Sequence, residues 1–169
     1  MRLKRLAVQN FRSLQSVDID FPQVCAIVGP NNSGKSNILE ALRRVLALEW
    51  GPRTAHFSED NVYFRNPDLD IEIACYFDPP IAYSRLQNAD PVQIDQLHFS
   101  WNHYKIGPEK GMRKLDQSCL NADGKKPSVM VTYPKKGTQP RFEQLLNIPQ
   151  SVRESVPLIY IGTNRSLKE

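Results

Sequence analysis

Residues Gly29-Pro30-Asn31-Asn32-Ser33-Gly34-Lys35-Ser36 match the pattern GxxxxGK[ST] in full, and they restrict the possible folds more than any other feature of the chain. Such a loop wraps its backbone N–H groups around a polyphosphate. Gly29 and Gly34 therefore stand where a side chain or a restricted φ would block the turn. The loop also needs a strand before it and a helix after it. Val24-Cys25-Ala26-Ile27-Val28 is short, apolar and rich in β-branched residues, and it predicts a strand buried on both faces. Residues 35–48 predict a helix with Ile38, Leu39, Leu42, Val45 and Leu46 on one side and Glu40, Arg43 and Arg44 largely off it. The positive end of that helix would face the phosphates of a nucleoside triphosphate. Lys35 would reach the β- and γ-phosphates, and the Ser36 hydroxyl would bind Mg²⁺.

A chain of 169 residues suits one domain, or one and an appended subdomain, and 40% hydrophobic with 24% charged residues indicates a soluble globular protein. The longest aliphatic run is Val24 to Val28, far short of a membrane span, and the basic start Met1-Arg2-Leu3-Lys4-Arg5 leads into no apolar signal core. A cytoplasmic location is expected. Cys25, Cys75 and Cys119 are odd in number and widely spaced, which suggests buried reduced thiols rather than disulfides or a zinc site. The net charge of +4 is unevenly spread: Lys105, Lys110, Arg113, Lys114, Lys125, Lys126, Lys135, Lys136 and Arg141 face only Glu109, Asp116 and Asp123. This segment is read first as a solvated hairpin tip and loop, with contact to a nucleic-acid backbone as the alternative.

Residues 2–10 alternate weakly, and Val17, Ile19 and Phe21 alternate cleanly with Asp18 and Asp20, so two strands joined by Phe11-Arg12-Ser13-Leu14 precede the phosphate loop. After a looser stretch from Gly51 to Asp68, residues 69–77 predict a strand with one solvated face, ended by Pro79-Pro80. Tyr83 to Gln96 is a marginal helix broken by Pro91. The alternating runs at 97–104 and 129–133 suggest an antiparallel β-subdomain, and Leu158-Ile159-Tyr160-Ile161 suggests a further core strand.

Hydrolysis requires more than a phosphate loop. A strand-terminal acid for Mg²⁺ and a group to orient the attacking water are also needed. Asp78 is the nearest candidate acid, although its strand alternates as a half-solvated one does and Pro79 follows it. His98 and His103 lie at odd separation on one strand and so face opposite sides, and His56 is remote, which disfavours a shared metal site. Trp101 shares its parity with Leu97 and Phe99 and is expected in the core. Asp18 and Asp20 share a strand face but are read as solvated.

Taken in order, Leu6-Ala7-Val8-Gln9-Asn10-Phe11-Arg12-Ser13-Leu14, Val17-Asp18-Ile19-Asp20-Phe21 and Ile27 through Leu42 resemble the amino-terminal lobe of ABC-type ATPases of the SMC, RecF and OLD group. The words NFRS, GPNNSGKSN and EALR carry the likeness. Within the group the chain looks most like an OLD-family ATP-dependent endonuclease, through its early antiparallel strands and its ending Tyr160-Ile161-Gly162-Thr163-Asn164-Arg165-Ser166-Leu167.

The resemblance implies an α/β fold, a P-loop ABC-type ATPase lobe with an antiparallel β-subdomain. Residues 1–50 would supply the early strands, loop and first helix, residues 69–134 the β-subdomain, and residues 156–169 a further core strand. It implies ATP and Mg²⁺ as ligands, DNA as a partner of the full-length protein, and a homodimer or larger oligomer built through the ATPase domain. Lys35 is carried over as the catalytic lysine, Ser36 as the metal ligand, and Arg12, Gly29, Asn31, Asn32, Ser33, Gly34, Lys35, Ser36 and Asn37 as nucleotide contacts. The family's second half, with signature segment, acidic strand end and a Toprim nuclease domain using Mg²⁺ or Mn²⁺, does not appear in the sequence. The chain therefore reads as an amino-terminal fragment or a truncated relative that binds ATP and hydrolyses it poorly. Asn164 and Arg165 stand where the group has a glutamine, which leaves that contact open. The alternative is an SMC/RecF-like ATP-gated DNA clamp without nuclease activity, and a small P-loop kinase is a weaker third reading. Antiphage defence and DNA repair both fit the resemblance.

Overall fold

The computed structural model describes residues 1–47, 57–103, 108, 110–132, 139–156 and 158. Strands β1 (Arg2–Phe11) and β2 (Leu14–Asp20) form an antiparallel hairpin, followed by the phosphate loop and helix α1 (Lys35–Leu46). Two short 3₁₀ turns, Glu59–Asn61 and Tyr63–Arg65, lead into β3 (Ile71–Tyr83), β4 (Val92–His103) and β5 (Arg113–Leu120). These strands make one sheet in the order β2-β1-β3-β4-β5, with every neighbouring pair antiparallel. A separate ribbon of β6 (Ser128–Val131) and β7 (Arg141–Gln144) and the short helix α2 (Gln150–Glu154) complete the described chain.

Register explains the core. Leu6, Cys75, Leu97 and Cys119 oppose one another across four strands, as do Val8, Ile73, Phe99 and Gln117. Because side chains alternate across a pleated sheet, these rows share one face. The intervening rows, including Ala7, Ala74, His98 and Ser118, take the other face. Ile38, Ala41, Leu42 and Val45 of α1 join the apolar rows in a single core, each large aliphatic side chain contributing about 1.5–3 kcal/mol by leaving water. The amphipathic reading of α1 holds for Ile38, Leu42, Val45 and Leu46 and fails for two other positions. Leu39 is 44% exposed, whereas Arg44 is only 6% exposed. The helix is buried over a wider arc than its apolar stripe, so Arg44 is enclosed and its charge is met by Glu40.

Several expectations are corrected. Val24 to Val28 is not a strand buried on both faces: it pairs with no strand among the described residues, and Val24 and Val28 are each 86% exposed. A strand of that kind needs neighbours on both sides, and the described sheet ends at β2 and β5. Only Ile27 packs against the core. Pro79-Pro80 does not end β3, which runs to Tyr83 with a register shift between Tyr76 and Ile81. Prolines without an N–H are tolerated at such an irregularity. Residues 83–96 form no helix. After the turns that follow β3, the chain enters β4 at Val92, so β3 and β4 make a hairpin. Of the run at 129–133, Val129 to Val131 belong to a ribbon of their own rather than to the large sheet, and Tyr133 lies outside the described residues. The expected strand at 158–161 lies, beyond Leu158, outside the described residues.

Candidate nucleotide-binding site

The wall of the site begins in the turn between β1 and β2. Asn10 and Arg12 both adopt left-handed backbone conformations, each with φ of 54°, on either side of the fully buried Phe11. Left-handed backbone is costly for residues other than glycine and persists where the surroundings enforce it. Here Asn10 donates from Nδ2 to the Asp70 carbonyl at 2.9 Å, the Arg12 N–H donates to the Asn61 carbonyl at 2.7 Å, and Phe11 bridges to Val62. These contacts hold Ser13 beside the phosphate loop. Asn37 of α1 donates from Nδ2 to Ser13 Oγ at 2.7 Å and closes the gap.

The loop is already wrapped. Lys35 Nζ donates to the carbonyls of Gly29 at 2.7 Å and Pro30 at 2.6 Å, and lies 3.3 Å from Ser33 Oγ. The ammonium thus ties both ends of the loop together. Gly34 has φ of +92°, and a Cβ there would meet Leu14 Cδ2 at 3.2 Å and Ser13 Oγ at 3.3 Å. At Gly29 a Cβ would stand 3.0 Å from Ser33 Oγ. Gly34 is thus held to glycine by its positive φ and by the contacts to Leu14 and Ser13, whereas at Gly29 a Cβ would press on a serine hydroxyl that can rotate. Asn32, at φ of 67°, adopts a left-handed turn that asparagine accepts more readily than most residues.

Gly34 is the N-cap of α1. No side chain caps that end, and its first turn carries no acid, so the positive end of the helix dipole faces the loop uncompensated. In front of it lies an open cavity of about 740 Å³ lined by Ser13 and residues 31–37, well within the range of small-molecule sites. Its lining is polar and carries the Lys35 cation, a setting suited to an anion of several charges.

Behind the cavity, Glu40 gathers arginines. Its carboxylate accepts from Arg44 Nε at 3.0 Å and lies 3.8 Å from both Arg43 Nη1 and Arg12 Nη2. Burial pushes the Arg44 guanidinium below its usual range, and Glu40 partly restores it.

The structure thus gathers Asn31, Asn32, Ser33, Gly34, Lys35, Ser36 and Asn37 around one cavity, with Gly29 beneath Lys35. It does not bring the Arg12 guanidinium into that wall. Arg12 turns instead to Glu40 and stands 5.4 Å from the centre of the Phe11 ring. Asp78 is excluded from the site: it pairs in register with Arg2, at the end of β1 far from Ser13. Asp18 is occupied by Arg5, whose Nε donates to it at 2.6 Å and which holds its carboxyl below the usual range. His103 Nδ1 sits 2.8 Å from Asp70, whereas His98 lies on the opposite face between Ala74 and Ser118. Trp101 packs against the core, as expected from its parity, and stacks on Phe57.

Of the basic segment, Arg113 is absorbed structurally, 4.4 Å over Trp101 and paired with Glu59 and Asp70. Lys126 pairs with Asp116, and Arg141 with Glu143. Lys105, Lys135, Lys136, His56, Asn164 and Arg165 lie outside the described residues. Sequence reasoning missed Ser13 and Glu40 as site residues. Their signal was present in the words NFRS and EALR, but the left-handed turn that aims Ser13 is not legible from residue types.

Loop, helix and antiparallel sheet together define a P-loop ATPase lobe of mixed α/β type. A family profile described as an AAA ATPase domain matches residues 1–154, and the chain belongs to that family. It is similar to an OLD nuclease of Thermus scotoductus, 43% identical over 79 residues, which cover 46% of this chain and 15% of that protein. It is also similar to the DNA replication and repair protein RecF of Lactobacillus acidophilus, 48% identical over 56 residues, or 32% of this chain and 15% of RecF. The chromosome partition protein Smc of Methanocaldococcus jannaschii is 47% identical over 98 residues, or 56% of this chain and 8% of Smc. The chain thus spans about a seventh or less of the length of these relatives. A solved structure from work on ATP-driven dimerization and DNA-stimulated activation of SMC ATPases aligns at a TM-score of 0.44 and 23% identity, covering 69% of this chain and 68% of that one. No helix among the described residues is long and apolar enough to cross a membrane.

Proposed function

We propose that this chain is the ATP-binding lobe of an OLD-like ATPase that regulates DNA cleavage by a Toprim nuclease domain not contained in these residues. The observation that carries the nucleotide reading is the loop held closed by Lys35 on the Gly29 and Pro30 carbonyls, before an uncapped helix end. ATP and Mg²⁺ fit this donor set. Lys35 and the N–H groups of residues 31–36 would hold the phosphates, the Ser36 hydroxyl would hold Mg²⁺, and the metal would neutralise charge on the phosphate oxygens. Asn31, Asn32, Ser33, Asn37 and Ser13 would complete the wall. Asp78 is not part of this site, and no hydrolytic acid is assigned. In this reading the lobe binds ATP, and hydrolysis requires a second protomer to complete each site, which makes a homodimer or larger oligomer the working form. Residues 156–169 are proposed to add a core strand.

A second reading is an ATP-gated DNA clamp without nuclease activity. The match to Smc favours it, because that similarity covers more of the chain than the match to the OLD nuclease. Sedimentation velocity with and without MgATPγS, followed by a plasmid-cleavage assay on the full-length protein, tests the two. ATP-dependent dimers with metal-dependent nicking support the OLD-like reading. Dimers that retain DNA without cutting it support the clamp, and no response to nucleotide contradicts both.

A further inference from the structure

We propose that Glu40 is a positioning residue for Arg12: it holds the Arg12 guanidinium outside the wall of the loop cavity, and a bound triphosphate takes it over. The proposal rests on the nucleotide-binding reading and extends it to a residue outside the phosphate loop.

The geometry separates what can move from what cannot. The Arg12 backbone is fixed by its N–H bond to Asn61, by the buried Phe11 before it and by Ser13 in the cavity wall after it. Its side chain is 36% exposed, lies 5.4 Å from the centre of the Phe11 ring and makes an ion-pair contact to Glu40 at 3.8 Å, too long for a hydrogen bond. Glu40 lies one helical turn beyond Ser36, on the same side of α1, and a small depression bounded by Ser36, Leu39, Glu40 and Arg43 adjoins that position. The firm commitment of Glu40 is to the buried Arg44 at 3.0 Å. Arg12 is held more loosely and is more exposed than Arg44, so it can leave while Glu40 keeps Arg43 and Arg44 as counter-charges. A triphosphate in the neighbouring cavity carries several negative charges and competes for that guanidinium directly.

Holding Arg12 at Glu40 weakens nucleotide binding by the strength of an exposed ion pair, a factor of about two to five. The test is calorimetric titration of MgATP into the wild-type chain, Glu40→Gln, Arg12→Ala, the double variant and Lys35→Ala, with thermal unfolding of each. Glu40→Gln retains an acceptor for Arg44. It is expected to bind MgATP about two to five times more tightly than wild type, and to have no effect in the Arg12→Ala background. Unchanged or weaker binding by Glu40→Gln overturns the proposal. So does tightening that persists without Arg12, which would be the field of the carboxylate alone. Wild type that fails to bind, or Lys35→Ala that binds as wild type does, overturns the nucleotide reading itself. Should Glu40→Gln not fold, a crystal structure of the wild-type chain with MgATPγS decides: Arg12 on a phosphate oxygen supports the proposal, and Arg12 still on Glu40 overturns it.

Discussion

Asn37 Nδ2 donates to Ser13 Oγ across 2.7 Å, so the first turn of the loop helix is fastened to the turn between β1 and β2. The two residues are far apart in sequence but share one cavity wall. The β1–β2 turn therefore belongs to the nucleotide site, and its left-handed residues are part of how that wall is made.

Ser13→Ala removes this bond and one polar group of the wall. It is expected to weaken MgATP binding about two- to tenfold, the equivalent of one ordinary hydrogen bond, and to lower stability only slightly. Titration calorimetry checks the first expectation and urea unfolding the second. Unaltered affinity would remove Ser13 from the site.

Gly34→Ala places a methyl group 3.2 Å from Leu14 Cδ2 and 3.3 Å from Ser13 Oγ, on backbone at φ of +92°. The expected cost is about 1–3 kcal/mol of folding stability, with loss of nucleotide binding as the loop opens. Chemical denaturation reads the first effect, and an alanine variant as stable as wild type would show the loop to be less constrained than described.

Buried Arg153 joins three elements: Nη1 donates to the Val45 carbonyl of α1 at 3.0 Å, Nη2 donates to Gln117 Oε1 of β5 at 2.7 Å, and the guanidinium lies 5.3 Å from the centre of the Phe99 ring. Gln117 Nε2 has no hydrogen-bond partner among the described residues. Arg153→Met removes the donor to Gln117 Oε1 and the side-chain donor to the Val45 carbonyl, and should cost about 2–3 kcal/mol. Arg153→Met with Gln117→Leu should recover at least half of that, because removing both partners is cheaper than stranding one. Urea midpoints of the two variants decide, and equal losses would contradict the account.

How much of this was legible beforehand varies with how local the cause is. The loop and α1 were readable because glycine spacing and a 3.6-residue period are properties of adjacent residues. β5 was not, since Arg113 to Leu120 carries only Leu115, Gln117 and Cys119 toward the core, and Gln117 looks solvated until Arg153 arrives from α2. The burial of Arg44 could not be read either, because a charge on the apolar arc makes sense only once Glu40 is seen beside it. At Val24 to Val28 the residue types express a preference for strand, but pairing partners decide whether a strand exists.

Burial holds the His98 imidazole below its usual range, opposed by Glu72 and Asp116 and assisted by Lys126. The unfolded chain therefore takes up this proton before the folded chain does. The contribution of His98 to stability is intact above the unfolded value near pH 6.5 and is lost as pH falls below it. Thermal melts from about pH 7.5 to about 5.5 should show a smaller decline in Tm for His98→Asn than for wild type. Parallel declines would mean that the imidazole charges as freely in the folded chain as in the unfolded one.

The central claim is that the loop closed by Lys35 is a nucleotide site. Titration of MgATP into the wild-type chain and Lys35→Ala tests it most directly. The account predicts saturable binding of one nucleotide per chain by wild type, and affinity reduced by about tenfold or more in Lys35→Ala, as expected for a lost charge-assisted contact. Equal binding by both proteins, or none by wild type, would contradict it.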